Sequence, residues 1–354
     1  MMKQHLISIA CSAMVLAGCQ TTSSGDESSG QVAKQYTRDN NAHLSAAVYS
    51  IQFDSAIQFN LQAQALEQSV VEYCSTNNDD LEPMKLAWQE VMGSWMALQG
   101  QERGPTKALE ESWNVQFWPD KKNTTGLKMS RLTQQDKNWS QAEIAQQSVT
   151  VQGVGALEWL LYDDKSPLMK DKVHGCQSAQ AIANNLVVKS QKIASAWQQN
   201  PWLELDAKQW DSEYIALLTN QLDYSMKKLS RPMAKIGQPR PYFSESWRSE
   251  TSMTQLKANL EAMQALYFAN GDGLDALLRD QGLTPLADRV SYQFSDTIES
   301  WPTEQSLFKL LQTKEGYRLV LAQYNKLDQL KYLIHDEVAI ELGVIIGFNA
   351  TDGD

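Results

Sequence analysis

The sequence predicts an all-α fold of antiparallel helical bundles, and three observations predict it. Apolar residues recur at three- and four-residue intervals over long stretches, and two-residue alternation over strand lengths is absent. The ten prolines fall between the periodic runs or at their starts, where a missing N–H costs a helix nothing.

The chain opens on Met1-Met2-Lys3-Gln4-His5, a short basic start, followed by the apolar run Leu6 to Leu16. That run is too short to span a bilayer as a helix, so residues 1–18 read as a signal peptide. It closes on Leu16-Ala17-Gly18-Cys19, the pattern of a lipobox, and the expected lipidation site is Cys19. An ordinary secretory signal ending nearby is the alternative. Several acyl chains on one cysteine hold a protein to a membrane, at about 0.8 kcal/mol per buried methylene, without a transmembrane helix. The expected location is therefore the cell envelope, lipid-anchored. Gln20, rather than an aspartate, after the cysteine favours the outer membrane facing the periplasm. Residues 19–34 lack the apolar content to build a core and read as a flexible tether.

Removal of residues 1–18 takes away one lysine and no acid, moving the formal charge from −11 to −12. An acidic chain repels phosphate backbones, so nucleic acid is not an expected partner, whereas a cation or basic ligand is compatible. Of four cysteines, Cys11 leaves with the signal and Cys19 is lipidated. Cys74 and Cys176 remain, and in an oxidising compartment a disulfide is the natural reading, with two metal-binding thiols as the alternative.

Three helices are the most clearly patterned: one through Met84, Trp88, Val91, Trp95 and Leu98, one from Cys176 to Trp197, and one from Tyr317 to Val338. The stretch Asp163–Gly175, with Pro167 and mixed charges, is the expected seam between an N-terminal bundle (35–165) and a C-terminal bundle (166–354). Residues 231–251 form a second irregular stretch, long enough for a functional loop.

Several enzyme signatures are missing: no His-Glu-x-x-His helix, no Gly-x-Ser-x-Gly elbow, no phosphate-binding Gly-rich loop and no Cys-x-x-Cys. The informative segment is Gly153-Val154-Gly155-Ala156-Leu157-Glu158-Trp159-Leu160-Leu161-Tyr162, a helix apolar on every side that carries one carboxylate. Such a helix is buried, so Glu158 must pair, bind a cation or take up a proton, unless it reaches solvent beside Asp163. Gly155 leaves room for a backbone or ligand to approach. Partners are offered by Arg103 in Gln101-Glu102-Arg103-Gly104-Pro105 and by the loop Ser246-Trp247-Arg248-Ser249-Glu250-Thr251-Ser252. In the latter, Ser249 and Ser252 suit a helix start whose N–H groups face an anion. Trp118-Pro119-Asp120-Lys121 is a third polar-aromatic loop.

These segments, with Phe117-Trp118-Pro119-Asp120 and the tail from Glu341 through Asp352 to Asp354, resemble the imelysin family of bacterial envelope proteins, in its lipoprotein branch. The likeness runs from about residue 40 to the end. It implies two four-helix bundles with a cleft between them, lined by Glu158, Gly155, Arg103, Asp120, Arg248, Ser249, Ser252 and Asp352. It also implies a link to iron supply and a peptidase activity tied to a Gly-x-His-x-x-Glu motif. Here Gly155 stands where that histidine would be, and no His-x-x-Glu occurs anywhere. Zinc hydrolysis usually uses three protein ligands and a water. The expected function is therefore non-catalytic binding of a metal or metal chelate, iron included, with Glu158 as the candidate metal-contacting group. The alternatives are a metallopeptidase-like hydrolase and a structural lipoprotein with an envelope protein partner.

Overall fold

A computed structural model describes residues 36–344 apart from 41, 78 and 304. The expected signal peptide, the tether with Cys19, and Asp352 lie outside the described residues. Among the described residues the fold is helical, with no strand and one isolated bridge between Lys235 and Gln238. No helix among them is long and apolar enough to cross a membrane.

The chain begins with α1 (Ala46–Ser75) and α2 (Glu82–Met96), followed by short turns and α3 (Thr124–Thr133). Next come α4 (Gly153–Tyr162), α5 (Lys172–Ala196) and α6 (Ala207–Met233). After a long loop follow α7 (Ser252–Phe268), α8 (Leu274–Asp280), α9 (Thr284–Glu299) and α10 (Lys314–Lys331). The last of these runs on as a π-helical stretch, Tyr332–Val338. All three strongly patterned segments are thus helical. Pro83 and Pro285 stand at helix starts as the pattern requires, but Pro232 lies inside the last turn of α6. The turn closes there because the Pro232 carbonyl accepts the Arg240 N–H at 2.7 Å, folding the loop back on the helix end.

Two groups of helices pack together. In the first, α1 lies against α2 and α5, and α4 is covered by α2, α3 and α5. In the second, α6 packs on α7 and α10, and α9 on α7 and α10. The groups meet where α2 packs on α7, and one apolar core runs through both. Helix α5 begins after the expected boundary at 165/166 and packs on α1. Its apolar face, including Ile182, Leu186 and Ile193, is buried against α1, so it belongs with the N-terminal helices. Cys74 on α1 and Cys176 on α5 form a disulfide with Cα atoms 5.6 Å apart. The residues flanking the irregular stretch 163–171 are therefore tied into the same group.

The contact of α2 with the second group is polar where the helix ends. The last carbonyls of a helix have no partner inside it and must find one outside. The Asn259 amide donates to the Met96 carbonyl at 2.6 Å, and the Gln221 amide to those of Met96 and Ala97 at 3.3 Å. Side chains of α6 and α7 thus close the C-terminus of α2, which fixes the position of the residues after it.

Candidate functional site

Helix α4 is buried over nearly its whole surface, as its composition requires. Its entry depends on Gly153, which has φ +63° and lies so close to the preceding turn that a Cβ would sit 2.0 Å from the Val115 carbonyl oxygen. One turn on, the Trp88 indole N–H donates to the Val154 carbonyl at 2.9 Å and locks α4 to α2. These contacts leave Glu158, at 5% exposure, facing the loop between α6 and α7.

That loop is curled by two residues in the left-handed region, Ser246 at φ +50° and Glu250 at φ +63°. Between them consecutive N–H groups point inward, a backbone concavity suited to an anion. The anion is Glu158 itself. Its Oε1 accepts the Arg248 N–H at 3.1 Å, the Ser249 N–H at 2.9 Å and the Ser249 hydroxyl at 3.0 Å. Among the described residues no donor reaches Oε2. Burial pushes the Glu158 carboxyl up from its ordinary value, while the charge of Arg248 and the three hydrogen bonds pull it down.

The Arg248 guanidinium does not pair with Glu158. It lies over the Trp247 ring at 4.3 Å, bonds Asp163 at 2.7 Å and donates to the Asn123 side chain at 2.6 Å. Its contribution is to pin the loop onto the end of α4, so that its own N–H and that of Ser249 meet the carboxylate. Ser252 donates its hydroxyl to the Glu245 carbonyl and closes the loop from the other side.

Glu158 and Gly155 line a cavity of about 40 Å³, walled by Trp88 and Val154 on one side and by Ser244 on the loop side. The space holds about one water-sized group. A Cβ on Gly155 would meet nothing within 4 Å. The close backbone approach expected at Gly155 is therefore made at Gly153, and Gly155 opens on free space. Two groups around this space lack protein partners: Glu158 Oε2 and the buried Ser244 hydroxyl.

A second carboxylate, Glu245, lines the same cavity but is already satisfied. It accepts from Lys228 at 2.6 Å, Gln99 at 2.7 Å and Gln116 at 2.6 Å, all buried. Burial draws the Lys228 ammonium down from its ordinary value and Glu245 opposes this. Sequence reasoning missed this pair. Lys228 sits beside Lys227 in a run that reads as a solvated face, and only the selection of 231–251 as a functional loop pointed to Glu245.

The other expected site residues are distributed differently. Asp120 borders the cavity, yet its two oxygens accept the Thr124 and Thr125 N–H groups at 2.6 and 2.8 Å and so cap α3. Arg103 is not among the residues lining the cavity; it pairs with Glu213 at 3.3 Å, and neighbouring Gly104 approaches the Trp197 ring.

The family model for imelysin matches residues 55–334. The chain belongs to the imelysin family. Among solved structures, an imelysin-like protein from Psychrobacter arcticum 273-4 is similar with a TM-score of 0.69 and 18% identity, covering 88% of this chain and 99% of that one. A putative iron-regulated protein A precursor from Parabacteroides distasonis ATCC 8503 gives a TM-score of 0.65 and 14% identity, covering 85% and 96% respectively. At these identities the likeness shows the fold. A comparison with curated proteins finds no match.

For an imelysin, the donor set around Glu158 does not fit a zinc-peptidase centre. Gly155 supplies no ligand, Glu158 Oε1 is saturated, and Glu245 is neutralised by Lys228. Among the described residues no three His, Cys, Asp or Glu side chains are grouped to hold a metal ion. One free carboxylate oxygen falls short of the three or more protein ligands such a site requires.

Proposed function

We propose that this imelysin is a non-hydrolytic, envelope-anchored binding protein whose ligand presents a small hydrogen-bond-donating group to Glu158. The observation that carries this reading is the division of labour within one carboxylate: Oε1 takes all three donors and Oε2 takes none. A carboxylate kept only to stabilise the fold would have both oxygens satisfied. Here the loop fixes the group and leaves half of it for something else. Ser244, buried and unpartnered on the opposite wall, adds a second contact.

The space admits one water-sized group, so the bound species is a head group rather than a whole chelate. A water or hydroxyl carried by a hydrated or chelated hard cation meets that description, and hard cations polarise such groups into strong donors. Ferric iron in a carboxylate chelate is the member of this class suggested by the iron-regulated name of the Parabacteroides structure. The metal is cargo in this reading, and its inner ligands come from the chelator. Anchoring through Cys19 would keep the protein at the membrane surface while it holds that cargo.

Calorimetric titration of the chain from residue 31 onward with ferric citrate, citrate alone and manganese, beside Glu158→Gln, tests the reading. Saturable binding of the chelate that Glu158→Gln weakens at least about tenfold supports it. Absence of binding at millimolar ligand, or equal binding by the variant, overturns it.

A further inference from the structure

The short turns after α2 enclose a second opening, a groove of about 370 Å³. Its walls are aromatic: Trp95, Trp113, Trp118 and Tyr224. Trp95 and Trp118 are buried, but Trp113 is 55% exposed, with its ring tilted against Phe117 at 5.8 Å. We propose that this groove binds a neutral oligosaccharide, beside the Glu158 cavity, with which it shares Gln116 and Trp118 as walls.

The size lies in the range of small-molecule pockets, about 300–1,000 Å³. Its electrostatics select the ligand class. No lysine or arginine lines the groove, so an anion would find no charged donor. A cation is disfavoured at two of the four rings, Trp118 and Tyr224, which already carry protein cations. Arg231 lies 5.6 Å from the centre of the Trp118 ring and Lys228 lies 5.3 Å from that of Tyr224. The one carboxylate on the wall, Glu102, is exposed and screened by solvent.

What remains is a ligand with apolar faces and hydroxyl edges, which describes a pyranose ring. Its C–H face buries area against an indole, and Trp113 offers one at the rim. The hydroxyl edges require partners, and the wall supplies them. Gln101 uses its amide N–H on the Ala97 carbonyl at 2.8 Å, which turns its side-chain oxygen into a fixed acceptor. The Ser112 hydroxyl and the Trp113 indole N–H make no side-chain hydrogen bond among the described residues and are free to meet a ligand. Gln99 and Gln116, by contrast, are committed to Glu245 and act as the rigid floor. At Gly100, φ is +81° and a Cβ would lie 2.6 Å from Tyr224, so the backbone is held tightly against the aromatic wall.

The test follows tryptophan emission of the chain from residue 31 onward during titration with maltotriose, cellotriose and tri-N-acetylchitotriose, with choline and citrate as charged controls. A saturable change with at least one trisaccharide, weakened about tenfold or more in Trp113→Ala, is the expected result, with Glu158→Gln titrated beside it against ferric citrate. Trp113 is exposed, so its replacement leaves the fold intact, which a matching far-ultraviolet spectrum checks. No response to any trisaccharide up to about 20 mM, or a response to choline that Trp113→Ala removes, overturns the proposal. Because the Glu158 variant is scored in parallel, failure here is separable from failure of the chelate reading.

Discussion

Replacing Ser249 by alanine tests the loop–carboxylate arrangement at its most exposed joint. The substitution deletes the hydroxyl donor to Glu158 Oε1 and keeps the two backbone donors. A hydrogen bond to a charged acceptor contributes about 1.5–3 kcal/mol. The Ser249 hydroxyl is also within reach of the Ser246 carbonyl, so the lower part of that range applies, about 1.5 kcal/mol at neutral pH. The loss has a definite pH dependence. Glu158 has a folded-state pKa above its ordinary value, so the folded protein binds more protons there than the unfolded chain. Its ionisation therefore makes stability fall as pH rises from the ordinary carboxylate value through the raised one. Losing a donor that favours the charged form raises the folded value further and widens that window. Urea unfolding at pH 7 and at pH 4.5 should show the variant's deficit shrinking at the lower pH, as the carboxyl takes up its proton. An equal deficit at both pH values, or none above about 0.5 kcal/mol at pH 7, refutes the reasoning.

Further predictions concern backbone, core and covalent constraints. Gly153→Ala should cost more than about 3 kcal/mol or prevent folding, since both φ and the Val115 carbonyl forbid a Cβ, whereas Gly155→Ala should be neutral or stabilising by up to about 1 kcal/mol. Denaturant midpoints of the two variants check the contrast. Lys228→Met should lose about 3–5 kcal/mol by stranding the buried Glu245 carboxylate, and Lys228→Met with Glu245→Gln should recover much of it in the same assay. Reduction of the Cys74–Cys176 bridge, which closes a separation of 102 residues, should lower unfolding stability by about 4–5 kcal/mol, read as the difference between urea curves with and without reductant.

The helices were readable because burial on one side leaves a three- and four-residue trace, clearest in Trp88, Val91 and Trp95. The same logic exposed Glu158, since a carboxylate in a helix apolar all round has no solvent side. The loop Trp247-Arg248-Ser249 is legible as a partner for Glu158, but sequence does not say that the contact runs through the Arg248 and Ser249 N–H groups while the guanidinium turns to Asp163. The packing of α5 on α1 is not legible in the sequence, because the irregular stretch before α5 resembles a linker. The Lys228–Glu245 pair left no trace, because burial of a lysine depends on tertiary neighbours and not on its own segment. Asp120 borders the cavity and also takes the Thr124 and Thr125 N–H groups at the start of α3, a second role that its sequence neighbours do not announce.

The central claim is that Glu158 offers one oxygen to a bound ligand while the loop secures the other. Diffraction from crystals grown with ferric citrate, collected at the iron absorption edge, tests it most directly. The account predicts an iron signal at the mouth of the Glu158 cavity, with a water or chelator hydroxyl between the metal and Oε2. A cavity without iron, with Oε2 bonded to a protein donor such as the Ser244 hydroxyl, would contradict it.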